Sequence, residues 1–307
     1  VLSGEYKIMG LAPYGEPKYV DMIKDNLIDI KEDGSFALNM NFFDFPTGFG
    51  MTNDKFHDLF GGPPKKPDSQ VTQREMDLAA SVQVVTEEVV ISLAKGIAKA
   101  TGEKNLCLAG GVALNCVANG KLLRQNIFEN IWIQPAAGDA GGSLGAALAT
   151  YYKMLNNPRI VNKDDSMQGS YLGPEYTQVE VENSLNDLGA NFSVLKDEDL
   201  LQITCDSLVE GKAIGWHQGR MEFGPRALGS RSILGDPRSP EMQKTLNLKV
   251  KYRESFRPFA PSILNETLSE WFDLETKSPY MAIVSKIKKK HRKDMYGKEK
   301  NSFGLDK

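Results

Sequence analysis

The segment "NLCLAGGVALNCVANGKLLRQN", residues 105–126, decides the fold class. Asn105 to Gly111 is a short apolar run ending on two glycines, the pattern of a buried strand that enters a tight turn. Val112 to Asn126 then carries apolar residues at helical spacing. The step repeats at once: "IWIQP" (131–135) reads as a second strand and "GDAGGSLGAALATYYKML" (138–155) as a glycine-opened helix. Strands alternating with helices predict an α/β chain. On the N-terminal side, an irregular aromatic stretch, "FALNMNFFDFPTGFGM" (36–51), and the breaker "GGPPKKPDS" (61–69) precede a long helix over 75–100 that ends near Gly102. On the C-terminal side, the polar residues 156–170 predict a domain boundary. A second α/β unit follows, with amphipathic helices in "QVEVENSLNDLG" (178–189) and "DLLQITCDSLVEG" (199–211) and strands in "KAIGWHQG" (212–219) and "SPYMAIVSKI" (278–287). No internal repeat is visible.

The bulk properties set limits on function. The chain has 307 residues, 41% hydrophobic and 25% charged, with a formal net charge of -3. Those values fit a globular chain of roughly two domains with a sizeable core. No apolar run approaches the ~18 residues of a membrane span, so a cytoplasmic enzyme or binding protein with no membrane partner is expected. Cys107, Cys116 and Cys205 are odd in number and widely spaced, a pattern that indicates neither a disulfide framework nor a thiolate zinc site and predicts buried thiols. The chain opens Val1-Leu2-Ser3 without Met and runs at once into "KIMGLAPYG", which reads like the middle of a domain and predicts a fragment.

Three loops in the first half are candidates for chemistry. "LAGGVALN" (108–115) places Gly110 and Gly111 where a strand meets a helix, either as a tight turn or as backbone N–H groups offered to a phosphate. "PAAGDAGGSLGAA" (135–147) puts Asp139 at the head of a small-residue helix, as an N-cap or as a carboxylate ligand of a divalent metal. "MGLAPYGEP" (9–17) carries Tyr14, which faces a substrate or packs.

The second half concentrates positive charge. Between Gly211 and Ala260 stand ten cations against Glu222, Asp236, Glu241 and Glu254. In "EFGPRALGSRSILGDPR" (222–238) glycines and prolines constrain the backbone that presents Arg226, Arg231 and Arg238, and "KVKYRESFRPFAP" (249–261) adds Lys251, Arg253 and Arg257. Arginine forks and a lysine ammonium suit a phosphate or carboxylate. Phe223, Leu228, Ile233, Phe256 and Phe259 interleave with the cations and predict partial burial, which a solvated basic face does not need. Arg238, beside Asp236 and Pro237, reads as a surface or turn residue, and His217, in an apolar strand, as a hydrogen-bonded structural histidine.

Five blocks together, "KIMGLAPYGEPKY", "LAGGVALNCVANGKL", "PAAGDAGGSLGAAL", "GRMEFGPRALGSRSIL" and "NLKVKYRESFRPFAPSIL", resemble the nodulation-type and antibiotic-tailoring O-carbamoyltransferases over nearly the whole chain. The resemblance implies an enzyme in which a YrdC-like domain makes a carbamoyl-adenylate from carbamoyl phosphate and ATP. An actin-like ATPase-type (ASKHA) domain then passes the carbamoyl group to a small hydroxyl-bearing acceptor. Residues 1–165 are implied to be the later part of the ATPase-type domain and residues 170–307 the start of the YrdC-like one. Gly110, Gly111 and Asn115 fall in the nucleotide loop, Asp139 at a carboxylate ligand of a divalent metal (Fe or Mg), and Arg226, Lys251 and Arg257 where carbamoyl phosphate is gripped. Two forks and one ammonium offset the charge on the phosphate oxygens as phosphate leaves.

The match has gaps. The family's paired metal-binding histidines have no counterpart here, since His57, His217 and His291 are isolated, and Asp139 alone makes a poor site for an ion that takes roughly six ligands. The chain also stops at "KEKNSFGLDK", before further YrdC-like motifs, so inactivity on its own is expected. A second reading is RNA binding, as in tRNA threonylcarbamoylation, through the cations above and "KIKKKHRK" (286–293). No aromatic ladder of the single-strand binders accompanies them, so a nucleic-acid partner is not expected and the run reads as a solvated loop. A degenerate, non-catalytic relative is the third reading.

Overall fold

The computed structural model describes residues 4–66, 69–162 and 165–293; the terminal "KEKNSFGLDK" lies outside them. Among these residues the chain gathers into two units: Val1–Cys107, Asn115–Trp132 and Val284–Lys307 form one, Leu108–Leu114 and Ile133–Ile283 the other.

In the first unit, α1 (Glu5–Leu11) and α2 (Val20–Asn26) lead into the antiparallel pair β1 (Ile28–Ile30) and β2 (Phe36–Leu38), in the register Ile28 to Leu38 and Ile30 to Phe36. After α3 (Asp54–Leu59) comes the expected long helix, α4 (Gln73–Thr101). Its start is fixed by a reciprocal cap, in which the Glu75 carboxylate accepts from Thr72 N–H at 2.8 Å and Thr72 hydroxyl at 2.6 Å, and Gly102 closes it in the left-handed conformation. Ile23, Leu27, Phe60, Val85 and Val89 form a core here. The aromatic stretch supplies Phe42 and Phe43 to its edge, while Tyr19 meets Phe60 edge-on at 5.6 Å between ring centres.

The buried face of α4 is not purely apolar: Asp77, Ser81, Gln83 and Glu87 are all buried. The first two hold the loop "MGLAPYGEPKY". Asp77 Oδ1 accepts the Glu16 N–H at 2.8 Å, Ser81 Oγ accepts the Tyr19 N–H at 3.0 Å, and Lys18 Nζ lies 2.5 Å from Asp77 Oδ2. Gly15 lets the loop touch the helix, because a Cβ there would run into the carbonyl of Met76.

Strands β3 (Asn105–Leu108) and β4 (Asn130–Ile133) pair, with α5 (Cys116–Leu123) between them in sequence. The glycine-opened helix is α6 (Ala140–Ala149), which continues as a wide π-turn, Thr150–Met154. The expected amphipathic helices are α7 (Gln178–Asp187) and α8 (Asp197–Val209); neither buries a residue. Strand β5 (Ile214–His217) pairs antiparallel with β6 (Arg231–Leu234), and α9 (Met242–Thr245) and α10 (Leu268–Trp271) complete the second unit. The fold is mixed α/β, with two-stranded sheets only among the described residues.

Strand β6 lies in "RSIL", inside the arginine-rich segment. Three sequence expectations need correction. The stretch "SPYMAIVSKI" has no strand and bends instead, with Met281 at φ 51° and Tyr280 buried and bonded through its hydroxyl to Asp165. Cys107 and Cys205 are exposed and Cys116 half-buried, so the thiols are not core residues. His217 is exposed opposite Arg231, because strand alternation turns Gly215 and His217 outward while Ile214 and Trp216 face in. No helix among the described residues is long and apolar enough to cross a membrane.

Candidate active site

Three of the quoted loops meet in the second unit. The glycine turn Leu108–Leu114 is pinned to the Gln134–Ala137 segment, whose Gln134 N–H donates to the Leu108 carbonyl at 3.1 Å and whose Ala137 carbonyl accepts the Gly110 N–H at 2.8 Å. Gly224 lies on that same segment: its φ is 123°, which other residues rarely adopt, and a Cβ there would come within 3.4 Å of Ala136. Two residues on, the Arg226 guanidinium donates from Nη2 to the Leu114 carbonyl at 3.2 Å. "LAGGVAL", "PAAG" and "EFGPR" are thus parts of one structure.

The loop from 222 to 231 is organised around Glu222, whose side chain is wholly buried. Oε1 accepts the N–H groups of Leu228 at 2.6 Å and Ser230 at 2.8 Å, and Oε2 stands 3.0 Å from Arg231 Nε. Burial alone would push the Glu222 carboxyl up, but backbone N–H groups around it, that of Leu228 foremost, hold it below the usual carboxylate range. Arg231 also donates to the Gly224 carbonyl at 3.0 Å.

Lys251 and Arg257 are brought together with Arg253 by a different device. After α9 the chain makes a π-turn, Leu246–Val250, that carries Asn247 fully inside. The Asn247 amide donates to the carbonyls of Ser255 at 3.0 Å and Arg257 at 2.8 Å and accepts Arg253 Nε at 2.6 Å, so residues 251–257 fold back on one side chain. Arg253 stacks over Phe259 at 4.7 Å from the ring centre. Partial desolvation, then the charges of Arg253 and Arg257, push the Lys251 ammonium below the ordinary lysine range. Phe256 is buried and Phe223, Leu228, Ile233 and Phe259 are half-buried, as the interleaving predicts. Arg238 is exposed and forks onto Asp236, with Nη2 to Oδ2 at 2.6 Å, also as predicted.

The remaining sequence candidates have these surroundings. A Cβ built on Gly110 or Gly111 would meet nothing within 4 Å, so the space before the turn is open. Asn115, in the first unit, caps α5: its Oδ1 accepts the Ala118 N–H at 3.1 Å, and its amide pairs with Gln83 at 3.0 and 3.1 Å. Gln83 in turn donates to buried Glu87 at 2.9 Å, and Glu87 pairs with Lys121. Asp139 is exposed at the head of α6 with helical dihedrals and makes no side-chain cap bond. Among the described residues, no three His, Cys, Asp or Glu side chains gather to hold a metal ion, so Asp139 brings a single carboxylate.

Residues 1–148 match the carbamoyltransferase N-terminus and residues 205–298 the carbamoyltransferase C-terminus. The chain belongs to the carbamoyltransferase family. It is 57% identical over 309 residues to an uncharacterized protein of Synechocystis sp., covering 100% of this chain and 50% of that protein. Identity is 38% over 287 residues with nodulation protein NolO of Bradyrhizobium diazoefficiens, covering 92% and 50%, and 37% over 292 residues with nodulation protein NolNO of Sinorhizobium fredii, covering 94% and 41%. This carbamoyltransferase chain spans about half the length of the curated relatives it matches.

Sequence reading of the carbamoyltransferase chain missed three residues that shape the cationic loops. Glu222 and Arg253 counted there only as charges, and Asn247 did not stand out at all. The usable signal for Glu222 was its setting: an acid two residues before a Gly-Pro-Arg turn, in a window otherwise rich in cations.

Proposed function

We propose that the whole protein is an ATP-dependent O-carbamoyltransferase. It makes a carbamoyl-adenylate from carbamoyl phosphate and ATP and passes the carbamoyl group to a small hydroxyl-bearing acceptor. On this reading residues 1–165 are the later part of an actin-like ATPase-type domain and residues 170–307 the start of a YrdC-like one. One observation carries the proposal beyond family membership: Lys251, Arg253 and Arg257 are held within electrostatic reach of one another on a loop fixed by Asn247. Glu254 pairs with Arg257 at 3.5 Å, and the three cations still outnumber it, an excess of positive charge that a bound phosphate would offset. Arg226 and Arg257 supply forks and Lys251 a compact charge, which together hold the phosphate and offset the charge that develops as it departs. The open space before Gly110 and Gly111 is where a nucleotide phosphate would approach the second unit's glycine turn. Asn115, in the first unit, would contribute by fixing the start of α5 through its cap.

The test uses the full-length protein with radiolabelled carbamoyl phosphate, ATP and a panel of hydroxyl compounds. AMP formation that requires carbamoyl phosphate, with label transferred to one acceptor class, is the expected result. ATP left unconsumed in the presence of carbamoyl phosphate overturns the proposal.

A further inference from the structure

We infer that Glu222 is a positioning residue for Arg226: its buried carboxylate and its ion pair with Arg231 set the backbone from which the Arg226 fork reaches an anion. The inference rests on the reading of Arg226 as a carbamoyl phosphate ligand. The turn from 224 to 230 has no regular structure to shape it; its amides and carbonyls are instead tied to these two side chains. Oε1 takes the N–H groups of Leu228 and Ser230, at 2.6 and 2.8 Å. Arg231 Nη2 reaches the carbonyls of Gly224 at 3.0 Å and Arg226 itself at 3.4 Å. Phe223 N–H on the Ser170 carbonyl at 2.6 Å, and the Tyr171 hydroxyl on the Leu228 carbonyl at 3.0 Å, fasten the turn at two further points.

A neutral side chain would serve a turn whose only task is to bend, since a buried carboxylate loses its hydration. The charge has a second use here. Glu222 and Arg231 cancel, and the pair leaves Arg231 committed inward; among the described residues Arg226 has no carboxylate partner, so its charge remains for a ligand. The pairing is also unfinished as a hydrogen bond: Oε2 and Nε are 3.0 Å apart yet misaligned, and both are buried without a hydrogen bond among the described residues. Such a pair holds position through charge and packing, and it weakens if the charge is removed while the shape is kept.

Glu222→Gln is that change. The test measures carbamoyl phosphate affinity by calorimetry in the full-length protein, for Glu222→Gln, Arg226→Ala and the double variant, with thermal unfolding alongside. The expected result is a cooperative unfolding transition for Glu222→Gln, an affinity ~10- to 100-fold weaker, and a double variant no weaker than Arg226→Ala alone. Affinity unchanged in Arg226→Ala means that the reading of Arg226 fails, and this inference with it. A loss in Arg226→Ala with none in Glu222→Gln, or two losses that add in full, overturns the positioning role while leaving Arg226 as a ligand. If Glu222→Gln does not fold, Arg231→Lys, which keeps the charge and loses the reach to the Gly224 and Arg226 carbonyls, is read by the same criteria.

Discussion

The Lys251 ammonium is shifted by its surroundings. Desolvation and the nearby Arg253 and Arg257 charges lower its affinity for a proton, so it deprotonates at lower pH than a free lysine. A bound phosphate favours the charged form. On the proposed function, carbamoyl phosphate affinity is expected to be full while Lys251 is protonated and to fall as pH rises through its value, below the ordinary ~10.4. Calorimetry across the alkaline range checks this, and Lys251→Arg is expected to remove the alkaline limb. At Asp139 two roles separate cleanly. Loss of an N-cap costs about 1 kcal/mol, but Asp139 makes no cap bond, so Asp139→Asn is expected to leave the melting temperature essentially unchanged. A clear drop would assign it a structural role after all. At this scale the charged candidates were legible because Gly and Pro mark Arg226 and sheer density marks Lys251 and Arg257. Asn247 was not, since an uncharged amide acquires meaning only once the π-turn carries it inside.

Among the elements, α4 does the most to fix the loops of the first unit. Its buried carboxylate at Asp77 is pushed up by burial but held low, first by the Glu16 N–H and then by Lys18 and Gln73. A carboxyl with a lowered folded value contributes stability that is complete above the unfolded range of ~3.9 and is lost as pH falls through the folded value. Asp77→Asn is therefore expected to flatten the acid limb of stability against pH, and Asp77→Ala to cost ~1 to 3 kcal/mol by leaving the Glu16 N–H unsatisfied; chemical unfolding between acid and neutral pH reads both. The long helix itself was legible from twenty-six residues of unbroken periodicity, with caps at each end. The short strands β3, β4 and β5 were legible as well, but β6 was not. Four-residue β6 is half-buried throughout, so it shows no alternation to read, and "SPYMAIVSKI" has the apolar content of a strand but a positive φ at Met281.

For the molecule as a whole, "LAGG", "PAAG" and "EFGPR" lie far apart in sequence and are joined in the second unit through Ala137, Gly224 and Arg226. The quoted blocks named the participants, and only the fold shows which of them touch. If the cations of the second unit form a site instead of a diffuse basic surface, they differ in what they hold. Calorimetric titration of carbamoyl phosphate into the full-length protein decides between the two, comparing Arg226→Ala, Lys251→Ala and Arg257→Ala with Arg238→Ala, whose side chain is exposed and already forked onto Asp236. Each of the first three is expected to lose ~1.5 to 3 kcal/mol, roughly 10- to 150-fold, and Arg238→Ala to bind as the parent does. Equal losses at all four positions, or none at the first three, would contradict a site.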